Sequence, residues 1–268
     1  MVEIAVAQFS AGTDKAENHL TIRNLVGEAA ARGSRVVIAP EYAMYTAPRL
    51  DERLAEAAEP LDGPFVCGLL EIAAEFDVHL VAGVVESLTD DDHVSNTLVA
   101  AAPDGTVAAV YRKLHLYDAF GYKESDVFRA GAITDPETFT VDGLTFGMQT
   151  CYDLRFPEVT RRIVDAGADV LALPAQWVPG PLKEDHWTTL VRARAIENTV
   201  YVAAADQSAR SGAGNSMIVD PMGVVLASLG EQVGTARAEA SPARIAEVRA
   251  KNPALTLRRF GVVERQPR

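Results

Sequence analysis

The sequence predicts an α/β protein with mixed sheets, and three observations carry that reading. Short runs rich in β-branched residues alternate with stretches of helical apolar spacing. In the middle of the chain the strands come in hairpins, so antiparallel pairing must coexist with strand–helix–strand units, giving two mixed sheets with helices packed outside. No Pro/Gly/Ser-rich linker or break in composition divides the 268 residues, which read as one domain over 1–268.

Residues 2–9 (VEIAVAQF) alternate like a strand with one buried face. Residues 14–32 place Leu20, Leu25, Val26, Ala29 and Ala30 at helical spacing, with Thr13 or Asp14 as N-cap and Gly33 past the end. A second strand at 35–39 (RVVIA) delivers Glu41, and a helix over about 63–76 precedes a strand at 79–86 (HLVAGVVE). NTLVAAA and TVAAVYR are then joined through Pro103-Asp104-Gly105, where Pro fixes φ and Gly supplies a positive one. FTVDGLTFGMQ repeats the device at Asp142-Gly143, and Asp220-Pro221-Met222-Gly223 does so between NSMIV and VVLAS. Between these lie a helix with Pro157 at its first position, the strand DVLALP, a helix near 184–197 and the strand TVYVAAA. A last helix is expected over roughly 241–250.

Composition removes several function classes. A net charge of −12 argues against nucleic acid, because phosphate recognition needs a basic face. No apolar run approaches the roughly 18 residues of a membrane helix. The start, MVEIAVAQFS, carries Glu3 and lacks the basic region of a signal peptide. Two cysteines form no disulfide framework; Cys67, in GPFVCGLLEIAAEF, reads as a small core residue, and a reduced, cytoplasmic setting is expected. No HExxH, CxxC, GxSxG, GxGxxG or P-loop occurs, so neither metal nor cofactor is expected, and His115 and His186 read as packing.

The chemistry concentrates at strand ends. Cys151 follows the apolar run of GMQTCYDLRFPE, Glu41 closes VVIAPEY, and Lys113 closes VAAVYRKLH. A thiol, a carboxylate and an ammonium just past three buried strands share the region where open α/β sheets bind ligands. Each has a bland alternative. Cys151 alone would be a buried structural thiol, Glu41 a cap on the Tyr42 and Ala43 amides, and Lys113 half of a surface pair. Their joint occurrence favours function.

The constellation resembles the nitrilase superfamily of carbon–nitrogen hydrolases, which use a Glu–Lys–Cys triad in this chain order. The resemblance spans AVAQFSAGTDKAENH, VVIAPEY, NTLVAAAPDGTVAAVYRKLHLYDAFGYKESDVFRAG, TCYDLRFPE, LALPAQW, HWTTLVRARAIENTVYVAAAD and GNSMIVDPMGVVLA. It implies a four-layer α-β-β-α sandwich, with a tail at about 252–268 reaching a partner subunit in a homodimer or larger homo-oligomer. Within the superfamily the segments look most like the ω-amidase and deaminated-glutathione-amidase branch. Gln149 and Thr150 depart from it, standing where small apolar residues are expected.

The resemblance implies a role for each residue. Cys151 would attack a small amide of a carboxylic acid and hold the acyl group as a thioester. Glu41 would move the protons, and Lys113 with the Tyr152 N–H would hold the oxyanion. A nearby ammonium and helix-opening amides would lower the thiol pKa. Glu124 matches a second family glutamate that orients Lys113 or the amide, in competition with Asp118 and Asp126; Lys123 would be solvated. Tyr45, Arg155 and Trp177 are candidate substrate-binding residues, although an ion pair with Asp153 or Glu158 is favoured for Arg155, and core or dimer contacts compete for the two aromatics. A nitrile or N-carbamoyl substrate on the same scaffold, acyl transfer, or a catalytically silent binding protein remain the alternatives.

Overall fold

The structure, a computed structural model of the chain, describes residues 1–89, 93–209 and 211–265. Its twelve strands divide into two six-stranded sheets built on one plan. The first sheet has the order β12-β1-β2-β3-β4-β5, with β1 at Val2–Gln8, β2 at Val36–Ile38, β3 at His79–Ser87, β4 at Val94–Ala101, β5 at Val107–Arg112 and β12 at Gly234–Ala240. The second has the order β11-β10-β9-β8-β7-β6, with β6 at Thr138–Val141, β7 at Leu144–Met148, β8 at Val170–Ala175, β9 at Tyr201–Asp206, β10 at Met217–Val219 and β11 at Val225–Ser228. Each has three parallel strands at its centre (β1, β2, β3; β7, β8, β9) and antiparallel strands on both sides.

The sheets face each other through Val6, Ile38, Leu98, Phe146, Met148 and Ala203, all of which are fully buried. Helices α1 (Lys15–Ala31) and α3 (Pro64–Phe76) cover the outer face of the first sheet through Val26, Leu69 and Ile72. Helices α4 (Pro157–Asp165) and α5 (Lys183–Asn198) cover the second through Ile163, Trp187 and Val191. Four layers result, in the order α-β-β-α, as expected.

Local signals explain most boundaries. The Asp14 carboxylate accepts from the Ala16 and Glu17 amides and starts α1. In the β6–β7 turn, Asp142 and Gly143 have φ of 45° and 83°, the paired left-handed conformation of a two-residue hairpin. The inward face of α1 is Ile22, Leu25, Val26 and Ala29, while Leu20 is 55% exposed. Two elements had no counterpart in the sequence reading: the short helix α2 (Glu52–Ala57) and the edge strand β12. The last helix, α6, spans Pro242–Lys251. Of the tail predicted over 252–268, residues 266–268 lie outside the described residues, and Leu257, Phe260 and Val263 are exposed. Cys67 corrects an expectation: it points outward from α3 and is exposed, because the core-facing positions are taken by Phe65, Val66 and Leu69.

Candidate active site

The strands that carry Glu41, Lys113 and Cys151 end at one edge of the two facing sheets, and the three side chains meet in one cavity of about 680 Å³. Glu41 lies beyond β2 and is 1% exposed; Lys113 directly follows β5 and is 2% exposed. The Lys113 ammonium donates to Glu41 Oε1 at 2.9 Å and to Glu124 Oε2 at 2.9 Å. Asn96, near the start of β4, donates from one Nδ2 to Glu41 Oε1 at 2.7 Å and to Glu124 Oε1 at 2.9 Å. Tyr42 completes the cluster with an O–H bond to Glu124 Oε1 at 2.7 Å. Glu124 is thus the buried second glutamate, whereas Asp118 accepts from the Ser125 amide and Asp126 pairs with solvent-exposed Lys123.

Ionisation follows from these contacts. Burial pulls the Lys113 ammonium down, but Glu124 and Glu41 outweigh it and hold Lys113 well above the ordinary range. Burial raises Glu124, yet Lys113 and the bonds from Tyr42 and Asn96 win and keep it below the usual carboxylate range. Lys113 and Glu124 pair with each other, and the Glu41 side chain, bonded to Lys113 as well, stands beside the thiol. Its other oxygen, Oε2, accepts from the Gln176 amide at 2.7 Å, so it does not cap Tyr42 and Ala43.

Cys151 opens a single 3-10 turn (Cys151–Arg155), and α4 begins only at Pro157. The thiol therefore lacks the α-helix amides that were to acidify it. Burial is the largest influence and Glu41 the next; both push the Cys151 thiol well above its ordinary value, against a smaller pull from Lys113. The thiol rests protonated, its Sγ 3.5 Å from the Gln176 carbonyl. Both reactive corners use left-handed backbone on residues other than glycine, Tyr42 at φ 53° and Cys151 at φ 41°, a strained conformation that packing must hold. Gly83 on β3 makes room: a Cβ there would lie 2.6 Å from the Tyr42 nitrogen and 2.7 Å from the Glu41 Cα.

Tyr152, Arg155 and Trp177 line the same cavity. Tyr45 does not; its half-buried ring packs with Tyr42, Leu54 and Phe128 behind the site. The expected partner of Arg155 is also corrected. Asp153 is occupied by the Tyr111 hydroxyl at 2.6 Å and by His115 at 2.8 Å, and the Arg155 guanidinium instead lies 4.7 Å over Trp177, with Nη2 3.3 Å from His186 Nδ1. Gln149 is fully buried and accepts from Thr160 at 2.7 Å, which removes it from the cavity lining.

Residues 3–250 match the carbon-nitrogen hydrolase family. The chain belongs to that family. A Mycobacterium tuberculosis protein named only as a hydrolase is 40% identical over 248 residues, which are 86% of each chain. The deaminated glutathione amidase of Escherichia coli O157:H7 is 36% identical over 257 residues, 96% of this chain and 97% of that one. Among solved structures, Saccharomyces cerevisiae Nit3, a member of the nitrilase superfamily, superposes with a TM-score of 0.86 at 26% identity, covering 97% of both chains. For a carbon–nitrogen hydrolase, the residues missed at the sequence level are Asn96, Tyr42, Gln176, Lys183 and Asp206. Asn96 had only a weak signal, an amide between Ser95 and Thr97 at the polar start of β4, all of whose residues are buried. Asp206 is fully buried and accepts from the Trp177, Gln207 and Ala213 amides at 2.7, 2.8 and 3.0 Å, fixing the strand ends that carry Trp177 and Gln176. Burial raises it well above the carboxylate range despite those donors.

Proposed function

We propose that this carbon–nitrogen hydrolase cleaves a small linear amide, an ω-amide of a dicarboxylic or keto acid, to the acid and ammonia through a thioester on Cys151. The observation that carries the reading is the convergence of a buried thiol, a buried glutamate and a cationic lysine in one cavity. Glu41 takes the thiol proton as Sγ bonds to the amide carbon, and the carbonyl π pair moves onto oxygen. Lys113 and the Tyr152 N–H hold that oxyanion. As it collapses, Glu41 returns the proton to nitrogen, the C–N bond breaks, and ammonia leaves a thioester. Water then adds while Glu41 takes its proton, the C–S bond breaks, and the thiol is restored. Glu124 acts as a positioning residue: it balances Lys113, so Glu41 stays free to work as the base.

Thiol resting states and thiolate attack are compatible here because the proton moves within the cavity. The names of the amidase relatives support an amide over a nitrile. One domain over 1–268, a cytoplasmic setting with free thiols, and a homodimer engaging the exposed apolar tail belong to the same reading. Light scattering tests the dimer.

The decisive experiment is intact mass after brief mixing with a panel of ω-amides, alongside ammonia release. An acyl adduct that disappears in Cys151→Ala, together with loss of turnover by about 10⁴-fold or more, is expected. Turnover retained by folded C151A would overturn the assignment.

A further inference from the structure

Three cations line the cavity that holds Cys151 with no carboxylate within ion-pair distance among the described residues; Arg49 is exposed, whereas Lys183 and Arg155 stand together deeper in it. Lys183 begins α5 and is only 6% exposed. Its ammonium has three N–H donors, of which one is used, on the Tyr117 hydroxyl at 3.0 Å. Around it stand the rings of Phe120, Tyr117 and Trp177, with centroids at 4.5, 5.0 and 5.1 Å. Arg155 lies over two of the same rings, 4.7 Å from Trp177 and 5.5 Å from Phe120, and its Nε is buried without a hydrogen-bond partner. Two like charges therefore share one aromatic enclosure.

Ring contacts alone do not account for this arrangement. A cation over a ring gains about 0.5–2 kcal/mol, whereas burying an ammonium with donors left over costs more, and a second cation beside it adds repulsion. Both effects act on Lys183, whose pKa is lowered by burial and then by Arg155. An anion brought in by a ligand removes both costs at once. The pair is also tied to the reaction centre: Tyr117, which binds Lys183 through its hydroxyl, donates its backbone N–H to Glu124 Oε2.

We propose that Lys183 and Arg155 form a carboxylate-binding subsite for the acid end of the amide substrate, with Lys183 the residue that sets the preference for charged over neutral amides. This rests on the reading that Cys151 cleaves an amide. A short monoamide of a dicarboxylic acid places its carboxylate between the two cations and its amide at Cys151, and the buried Trp177 ring shields the ion pair from water.

The test compares monoamides of four- and five-carbon dicarboxylic acids with their methyl esters, which keep the amide and lose the charge. Lys183→Met, which keeps length and packing, should lower the acid-to-ester ratio of kcat/KM by about 10- to 100-fold, mainly through KM, as expected for loss of a charge-assisted bond. An unchanged ratio in K183M, or a wild-type enzyme indifferent to the charge, overturns the proposal. A second measurement needs no variant. Glutarate should slow alkylation of Cys151 by iodoacetamide, while the uncharged diamide of the same acid at equal concentration should not; equal protection by both, or by neither, also overturns it. Protection by glutarate in a protein that hydrolyses none of the panel would sustain the subsite while sinking the amidase reading.

Discussion

Around Lys113 every charge has an opposite partner, whereas around Lys183, reached through the single residue Tyr117, two cations share rings and meet no carboxylate among the described residues. Both lysines are nearly inaccessible, at 2% and 6% exposure, so burial does not separate them. What separates them is closure. The first cluster pairs its charged groups within the protein, which suits groups that must hold a geometry through proton transfers. The second is open, and its missing charge is the shape of what it binds. A buried ion with all its partners reads as machinery, and one without them reads as a binding site.

The largest effect that can break this contrast is on stability. Lys113→Met leaves the Glu41 and Glu124 carboxylates buried together without a cation. Uncompensated buried charge costs about 3–5 kcal/mol, so K113M should unfold at much lower denaturant and lose turnover. K183M should show the opposite sign, with stability unchanged or raised, because it removes an unpaired cation. Urea unfolding of both variants decides the matter. A K183M loss as large as that of K113M would mean that the second cluster is also closed, by a partner inside the chain.

A smaller effect separates geometry from binding. Gly83→Ala places a methyl against the Tyr42 nitrogen and the Glu41 Cα, backbone atoms that move only by displacing the base. A displacement of about 1 Å costs on the order of 10²-fold in rate. The loss should appear in kcat, with KM for carboxylated amides nearly unchanged, because Arg155 and Lys183 do not touch Gly83. Steady-state kinetics on the acid and ester pair check it; a rise in KM for the acid alone would show that the two regions are mechanically one.

How far the sequence speaks follows the same division. Glu41, Lys113 and Cys151 were legible because strand ends, turn residues and a chain order are local signals, and the hairpins at Asp142-Gly143 and Asp220-Gly223 were legible for the same reason. Strand β12 was not, since GTARAEA alternates Arg237 and Glu239 with small residues and pairs with β1 from the far end of the chain. Lys183 stands just before the helix expected near 184–197 with no local signal to mark it, and only the approach of Tyr117 and Phe120 from another loop makes it a buried cation. Arg155 lost its expected partner because Asp153 turns to Tyr111 and His115. Charge complementarity along the chain says little about which groups share a cavity.

The smallest predicted effect is a change of sign in the chemistry of the thiol. Burial and then Glu41 hold Cys151 above its ordinary value, so at about pH 7 the thiol is protonated, and alkylation should climb about tenfold per pH unit into the alkaline range. Glu41→Gln removes the second of those influences. The thiol pKa falls, and iodoacetamide should react faster at about pH 7 in the same variant that has lost hydrolysis. K183M removes a nearby cation and should shift the profile slightly the other way, toward slower alkylation. Measured rates from about pH 6.5 to about 9.5 on the three proteins separate the clusters. If E41Q alkylates no faster than wild type, Glu41 does not govern the proton on Cys151, and the base must be sought elsewhere in the cavity.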